Sequence, residues 1–195
     1  MADPSRGLAK PVSPATLRRR PRGRGVPHAN AIAVHVFVVT NDFPPRIGGI
    51  NYYVDQLMRR LPAGSATVFT SRYAGWEAFD AAYPHDVIRL DTEMMLPTPA
   101  VRRRLHDELR RRRPDVVVFG ATWPLGHLGP AIRRDLWIPY LGFTHGLELT
   151  GTLVPGLLRH IGRDAAMLTA VSEWARTALE GAFGWTGRMA LLPSG

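Results

Sequence analysis

Nothing in this chain restricts its fold more than the stretch Val34 to Ile50, VHVFVVTNDFPPRIGGI. The β-branched run Val34, Val36, Val38 and Val39 predicts a buried strand. It stops at a polar, proline-rich loop, Thr40-Asn41-Asp42-Phe43-Pro44-Pro45. Gly48-Gly49 then open a predicted helix carrying Ile50, Tyr53, Val54, Leu57 and Leu61 at helical spacing. A strand feeding a helix through two glycines gathers unpaired N–H groups and the positive end of a helix dipole at one point. A phosphate is stabilised there.

The alternation continues along the chain. Strands are predicted over Val34–Val39, Ala66–Thr70, Val87–Leu90, Val116–Phe119, Tyr140–Phe143, Met167–Val171 and Met189–Leu192. Helices are predicted over Ile50–Leu61, Pro99–Arg113, Pro124–Asp135, Pro155–Ala165 and Glu173–Phe183. Thr98 is a cap followed by proline at the first helical position, and Ser172 caps the last helix. Short strands separated by helices imply crossover connections, hence an α/β fold with a Rossmann-like, doubly wound parallel sheet covered on both faces. Ligands of such sheets bind beyond the carboxyl ends of the strands.

Composition narrows the chemistry. With 195 residues the chain can bury one good core, and with no cysteine it has no disulfide, thiolate zinc site or cysteine nucleophile. The longest apolar run is too short to span a bilayer. Of the net charge of +9, residues 1–30 carry +6, through seven basic side chains against Asp3 alone. Residues 1–33 therefore read as a disordered Arg/Pro-rich tail and 34–195 as the folded domain. The tail reads as solvated chain or sequence upstream of the true start, as a nucleic-acid or membrane tether, or as a targeting peptide.

Several residues just beyond strands are candidates for function. Gly48-Gly49 is either a turn or a phosphate site; it matches neither GxGxxG nor a Walker loop. Asn41 and Asp42 precede it. His145 ends the fifth strand and could donate a hydrogen bond or steady developing charge. Glu148 would orient His145 or cap the next helix. Trp123 and Pro124 shape a pocket wall or begin a helix, and Arg46, Tyr52 and Arg72 lie near the same rim without an assigned role. The helix Pro99–Arg113 has a thin apolar stripe (Val101, Leu105, Leu109) and carries Arg102, Arg103, Arg110, Arg111, Arg112 and Arg113. It is either an ordinary outer helix with dipole-complementing arginines or a surface for anionic lipid. No aromatics interleave with the arginines, which disfavours a nucleic-acid stacking groove.

With those residues in place, the chain resembles the N-terminal half of a GT-B glycosyltransferase of the family-4-like retaining kind. The run VVTNDFPPRIGGINYYVDQLMRRL is similar to the opening of actinobacterial phosphatidylinositol mannoside mannosyltransferases. RPDVVVFGATWPLG (113–126), FTHGLE (143–148) and LLRHIGRDAAMLTAVSEWARTALEGAFG add to the resemblance, which covers about residues 34–195. It implies a metal-independent enzyme with no cofactor, using a nucleotide sugar such as GDP-mannose as donor. It places Gly48 and Gly49 at the donor diphosphate, His145 at the transferred sugar, and Asn41 and Asp42 at the acceptor. It also implies a basic helix against the membrane, and a cytoplasmic protein peripheral to the inner face of the plasma membrane. Family members are roughly twice as long, so a C-terminal donor-binding domain is expected to be absent here. This chain alone is then inactive or very weak, with that domain supplied in cis or in trans.

Three functions follow: the acceptor-side domain of a retaining, mannosyl-type glycosyltransferase; a non-catalytic membrane- or acceptor-binding module; and, third, a basic nucleic-acid binder.

Overall fold

The computed structural model describes residues 34–146, 155–182 and 187–193, the side chains of 155–158 and 182 excepted. The expectations for the tail and for Glu148 lie outside the described residues. The described elements are β1 (Val36–Val39), α1 (Gly49–Arg59), β2 (Ala66–Ser71), α2 (Trp76–Ala81), β3 (Asp86–Leu90), α3 (Pro99–Arg112) and β4 (Val116–Phe119). A 3-10 turn (Leu125–Leu128), α4 (Gly129–Leu136), β5 (Tyr140–Thr144), α5 (Pro155–Arg163), β6 (Met167–Ala170), α6 (Glu173–Ala182) and β7 (Met189–Leu191) follow.

The strands form one sheet in the order β3-β2-β1-β4-β5-β6-β7, and every pairing is parallel. This is the Rossmann-like α/β class that the alternation predicts. β1 sits between β2 and β4, in register from Val36 opposite Ala66 and Val116. The chain winds one way from β1 to β3 and the other way from β4 onward. The crevice at the carboxyl ends of β1 and β4 is therefore the topological switch point.

Alternation along β1 divides the core. Phe37 and Val39 join Phe69, Val117, Phe119, Leu105 and Leu109, with Leu125, Ile132, Ile161 and Leu179 from the later elements. Val38 joins Tyr53, Val54 and Met58 of α1, with Phe43, Val68 and Val118. Both faces are covered, which is why the strands read as nearly continuous apolar runs.

Two elements differ from expectation. α2 has no fully buried residue and meets the core through half-buried Phe79, too little apolar stripe to detect. The helix expected over Pro124–Asp135 is instead a 3-10 turn followed by α4, with Pro130 in the first turn of α4. Proline has no N–H to give to a continuous helix, so the break falls just before it. Thr98 does cap α3, accepting from Val101 N at 3.3 Å, and Ser172 accepts from Ala175 N at 3.1 Å. Among the described residues no helix is long and apolar enough to cross a membrane.

Candidate functional site

The loop after β1 is built by side chains that the sequence did not single out. Arg89 on β3 is 2% exposed and grips Asp80 with two nitrogens, at 2.9 and 2.8 Å. It also donates to the carbonyls of Ser71 (2.9 Å) and Pro44 (2.6 Å). One buried guanidinium thus ties the proline loop to the ends of β2 and α2, its charge met in full. Its only sequence signal is a cation inside the apolar strand DVIRL.

Asn41 performs a similar task from above. Its Oδ1 accepts from Ser71 Oγ (2.9 Å) and Met95 N (2.7 Å), and its Nδ2 donates to Met95 O (2.9 Å). The side chain is buried with its amide taken up internally. Asn41 therefore positions the loop, and Asp42 is the residue on that loop whose carboxylate is not consumed by such bonds. Thr40 Oγ1 accepts from Asp42 N at 2.9 Å, fixing the backbone beneath it. Burial pushes the Asp42 carboxyl above the ordinary carboxylate range, opposed by the charges of Arg46 and then His145. Asp42, Arg46 and His145 therefore share one electrostatic neighbourhood.

His145 leaves β5 on the same rim. Its Nε2 lies 2.7 Å from Gly120 O at the end of β4. A carbonyl only accepts, so Nε2 is the donor in this contact. The imidazole also meets the Tyr53 ring edge-on, with centroids 5.3 Å apart. Tyr53 lies one turn into α1 and donates to Leu192 O at 3.0 Å. Gly146 follows at φ 100°, a conformation that favours glycine, and turns the chain away from the strand.

α1 begins at the switch point with Gly48 as its N-cap and no side-chain capping bond. The two glycines differ. A Cβ on Gly48 would lie 2.7 Å from Asn51 Oδ1, and Asn51 Nδ2 donates to Phe43 O at 3.2 Å. Packing therefore accounts for Gly48. A Cβ on Gly49 would meet nothing within 4 Å. Among the described residues nothing requires glycine there, and the space above it is open.

Other rim residues find partners at the side. Arg46 donates to Tyr73 Oη at 3.0 Å and lies over that ring. Arg72 pairs with Asp91 at 2.8 Å and stacks on Trp76. Trp123 meets His127 edge-on, and His127 stacks on His160, with centroids 6.2 Å apart. Among the described residues no three His, Cys, Asp or Glu side chains are grouped to hold a metal ion.

The arginine helix α3 buries Leu105 and Leu109 and half-buries Val101, as its stripe predicts. Its arginines do not form one uniform surface. Arg112 requires correction as a membrane contact: it is 18% exposed and bonds Asp86 (2.6 Å), Thr67 (3.2 Å) and Glu108 (3.4 Å). Spacing placed it in a run of four cations, but the angle of the helix turns it inward to the starts of β2 and β3. Arg104 and Arg111 also pair with Glu108, which burial alone would raise but Arg111 and its neighbours hold below the ordinary range. Arg102 pairs with Asp135 at 2.8 Å, and Arg110 approaches Asp107 at 3.6 Å. Arg103 is exposed, and Arg113 caps the helix at φ 48°.

A parallel doubly wound sheet, with an uncapped helix start, a carboxylate and a histidine at its switch point, defines a Rossmann-like α/β domain. The model of glycosyltransferase family 4 matches residues 47–195, and the chain belongs to that family. It is 36% identical over 167 residues to the GDP-mannose-dependent α-(1-6)-phosphatidylinositol monomannoside mannosyltransferase of Mycolicibacterium smegmatis, covering 82% of this chain and 44% of that protein. It is also 36% identical over 163 residues to a GDP-mannose-dependent monoacylated α-(1-6)-phosphatidylinositol monomannoside mannosyltransferase of Corynebacterium glutamicum, covering 81% of this chain and 43% of that protein. The chain thus spans less than half the length of these relatives. In fold it is similar to Anabaena HepE in complex with UDP and glucose, with a TM-score of 0.61 at 13% identity over 83% of this chain and 45% of that one. Arabidopsis thaliana UGT89C1 complexed with UDP-L-rhamnose gives 0.53 at 11% identity over 82% of this chain and 51% of that one. The expected half of a GT-B fold is the fold observed.

Proposed function

We propose that this chain is the acceptor-side domain of a retaining mannosyltransferase that moves mannose from GDP-mannose to a lipid-linked acceptor. The observation that carries the reading is the convergence of the α1 start, Asp42 and His145 on one rim, in a chain similar to enzymes with that donor and acceptor. In this reading the amides at Gly48 and Gly49 hold the donor diphosphate and stabilise the charge it gains on leaving. Asp42 receives the acceptor, with Asn41 fixing its loop. The acceptor hydroxyl gives its proton to a donor phosphate oxygen on the same face as its oxygen bonds the sugar carbon and the carbon–phosphate-oxygen bond breaks. No covalent carboxylate intermediate is needed. His145, held by Gly120 and Tyr53, steadies charge beside the sugar.

A second domain closes over the donor, in cis or in trans. Exposed arginines of α3, Arg103 foremost with Arg102, Arg110, Arg111 and Arg113, support contact with an anionic membrane surface. That surface also supports the second reading, a membrane-binding module without catalysis.

The test is transfer of labelled mannose from GDP-mannose to phosphatidylinositol monomannoside by the chain combined with a family donor domain. Transfer is expected, and His145→Ala should lower it about a hundredfold or more while leaving the fold intact. No transfer with a properly folded pair of domains would reject the enzymatic reading; unchanged transfer by the variant would remove His145 from it.

A further inference from the structure

Pro99, Arg102, Arg103, His106 and Arg110 fall at spacings of three and four on α3, hence on one helix face. With Pro97 they line a groove of about 400 Å³. His106 within it is only 5% exposed, and its Nε2 is buried with no hydrogen-bond partner. Buried polar atoms are nearly always satisfied, and an orphan in a cation-lined groove calls for a ligand. We infer that this groove binds a phosphate group, gripped by Arg102, Arg103 and Arg110, with the His106 imidazole as its proton-linked partner.

The charges around the ring set the class of ligand. On α3 it faces Arg102 and Arg110 against Asp107, and from α4 it faces Asp135. Asp135 is itself shared by Arg102 and Arg134, and Arg103 also lines the groove. Four arginines against two carboxylates leave a local surplus of positive charge, so an anion fits and a cation does not. Burial and then Arg102 push the His106 pKa below its ordinary value, disfavouring the charged ring. A phosphate entering between the exposed arginine side chains offers acceptor oxygens to the ring and reverses that bias. Binding therefore carries a proton with it. Guanidinium groups suit phosphate because two N–H groups can meet two of its oxygens. The prolines give the groove an apolar edge, and Met94 and Leu96, both half or more exposed, lie just before it in the chain.

A lipid headgroup and a free phosphate share this chemistry; the lipid source rests on the membrane contact proposed above. The test follows the His106 ring by NMR in the full chain during titration with inorganic phosphate. Co-sedimentation with phosphatidylcholine vesicles carrying phosphatidylinositol forms the second arm. Phosphate should raise the proton affinity of His106 about tenfold. Arg103→Gln, at an exposed side chain, should weaken phosphate binding about tenfold with the melting temperature unchanged. Vesicle binding that phosphate displaces and R103Q weakens supports a lipid headgroup; a response to phosphate alone supports a free anion. If neither ligand moves the His106 titration, or if R103Q binds as the parent does, the inference is overturned. Because no donor or turnover is involved, that failure would leave the sugar-transfer reading standing.

Discussion

The two ends of the sheet use the same kinds of side chain in opposite ways. At the amino end charges answer charges. Arg112 meets Asp86 and Glu108, and Thr67 Oγ1 serves both Arg112 and His35 Nε2. His35 N donates to Asp115 Oδ2 at 2.7 Å. Around the start of α1, at the carboxyl end, the polar groups are held by backbone instead. His145 is fixed by Gly120 O, Asp42 by Thr40 beneath its backbone, and α1 starts with no side-chain cap. A network closed on itself stabilises a fold. A set of polar groups positioned by backbone, with burial working against ionised Asp42, is the arrangement that the proposed function uses.

Arg89, beside the exposed pair Arg72–Asp91, is the buried exception at the carboxyl end, and it gives the largest predicted effect. Replacing it by methionine strands Asp80 and the carbonyls of Pro44 and Ser71. Removing one partner of a buried pair costs roughly 3–5 kcal/mol. Arg89→Met should lose about that much in urea denaturation. Arg112→Met at the amino end should lose under about 2 kcal/mol, because Asp86 is 69% exposed and Glu108 keeps Arg104 and Arg111. Equal losses would mean that the carboxyl-end loop does not depend on a buried buttress, and the contrast between the ends would fail.

Most of the fold was legible in the sequence because it rests on apolar periodicity. Seven strand-like runs and the caps Thr98 and Ser172 carry local signals that tertiary contacts do not overrule. α2 was not legible, since a six-residue helix with no fully buried side chain leaves little pattern. In the site, Gly48-Gly49, Asp42 and His145 were visible as polar punctuation after strands. What was not visible depends on distance along the chain. The contact of Asn41 with Met95 spans 54 residues and that of Arg89 with Pro44 spans 45. No local rule assigns such partners. Arg112 shows the same limit from the other side: composition grouped it with solvent-facing arginines, and only the helix rotation separates it.

The two glycines sharpen the contrast at smaller scale. Gly48→Ala forces Asn51 Oδ1 away from a 2.7 Å contact and disturbs its bond to Phe43 O, so a loss of about 1 kcal/mol is expected. Gly49→Ala meets open space at the first position of α1 and should leave thermal stability within about 0.5 kcal/mol. If the diphosphate sits there, the same change should weaken donor binding by about tenfold or more in the two-domain enzyme. Calorimetric melting of the chain and GDP-mannose titration of the pair measure the two effects separately. A destabilised Gly49→Ala would show that packing, not a ligand, accounts for this glycine.

Acid probes the smallest difference. His127 follows β4 at the carboxyl end, against Trp123 and His160, and burial and then His160 push its pKa down. His106 is lowered as well, by burial and then Arg102. A histidine depressed in the folded state binds its proton more readily when unfolded, where its pKa is near 6.5. Between the folded values and 6.5 the unfolded chain holds more protons, so stability is complete above that window and declines as pH falls through it. Melting temperatures at pH 7.5 and 5.5 should differ in that direction. His160→Gln removes the ring whose electrostatic effect lowers His127 and should shrink the difference without abolishing it, because burial still depresses His127 and His106. A profile that is unchanged in His160→Gln would mean that the stacked pair does not couple. The acid sensitivity would then lie with burial and with the arginines around His106.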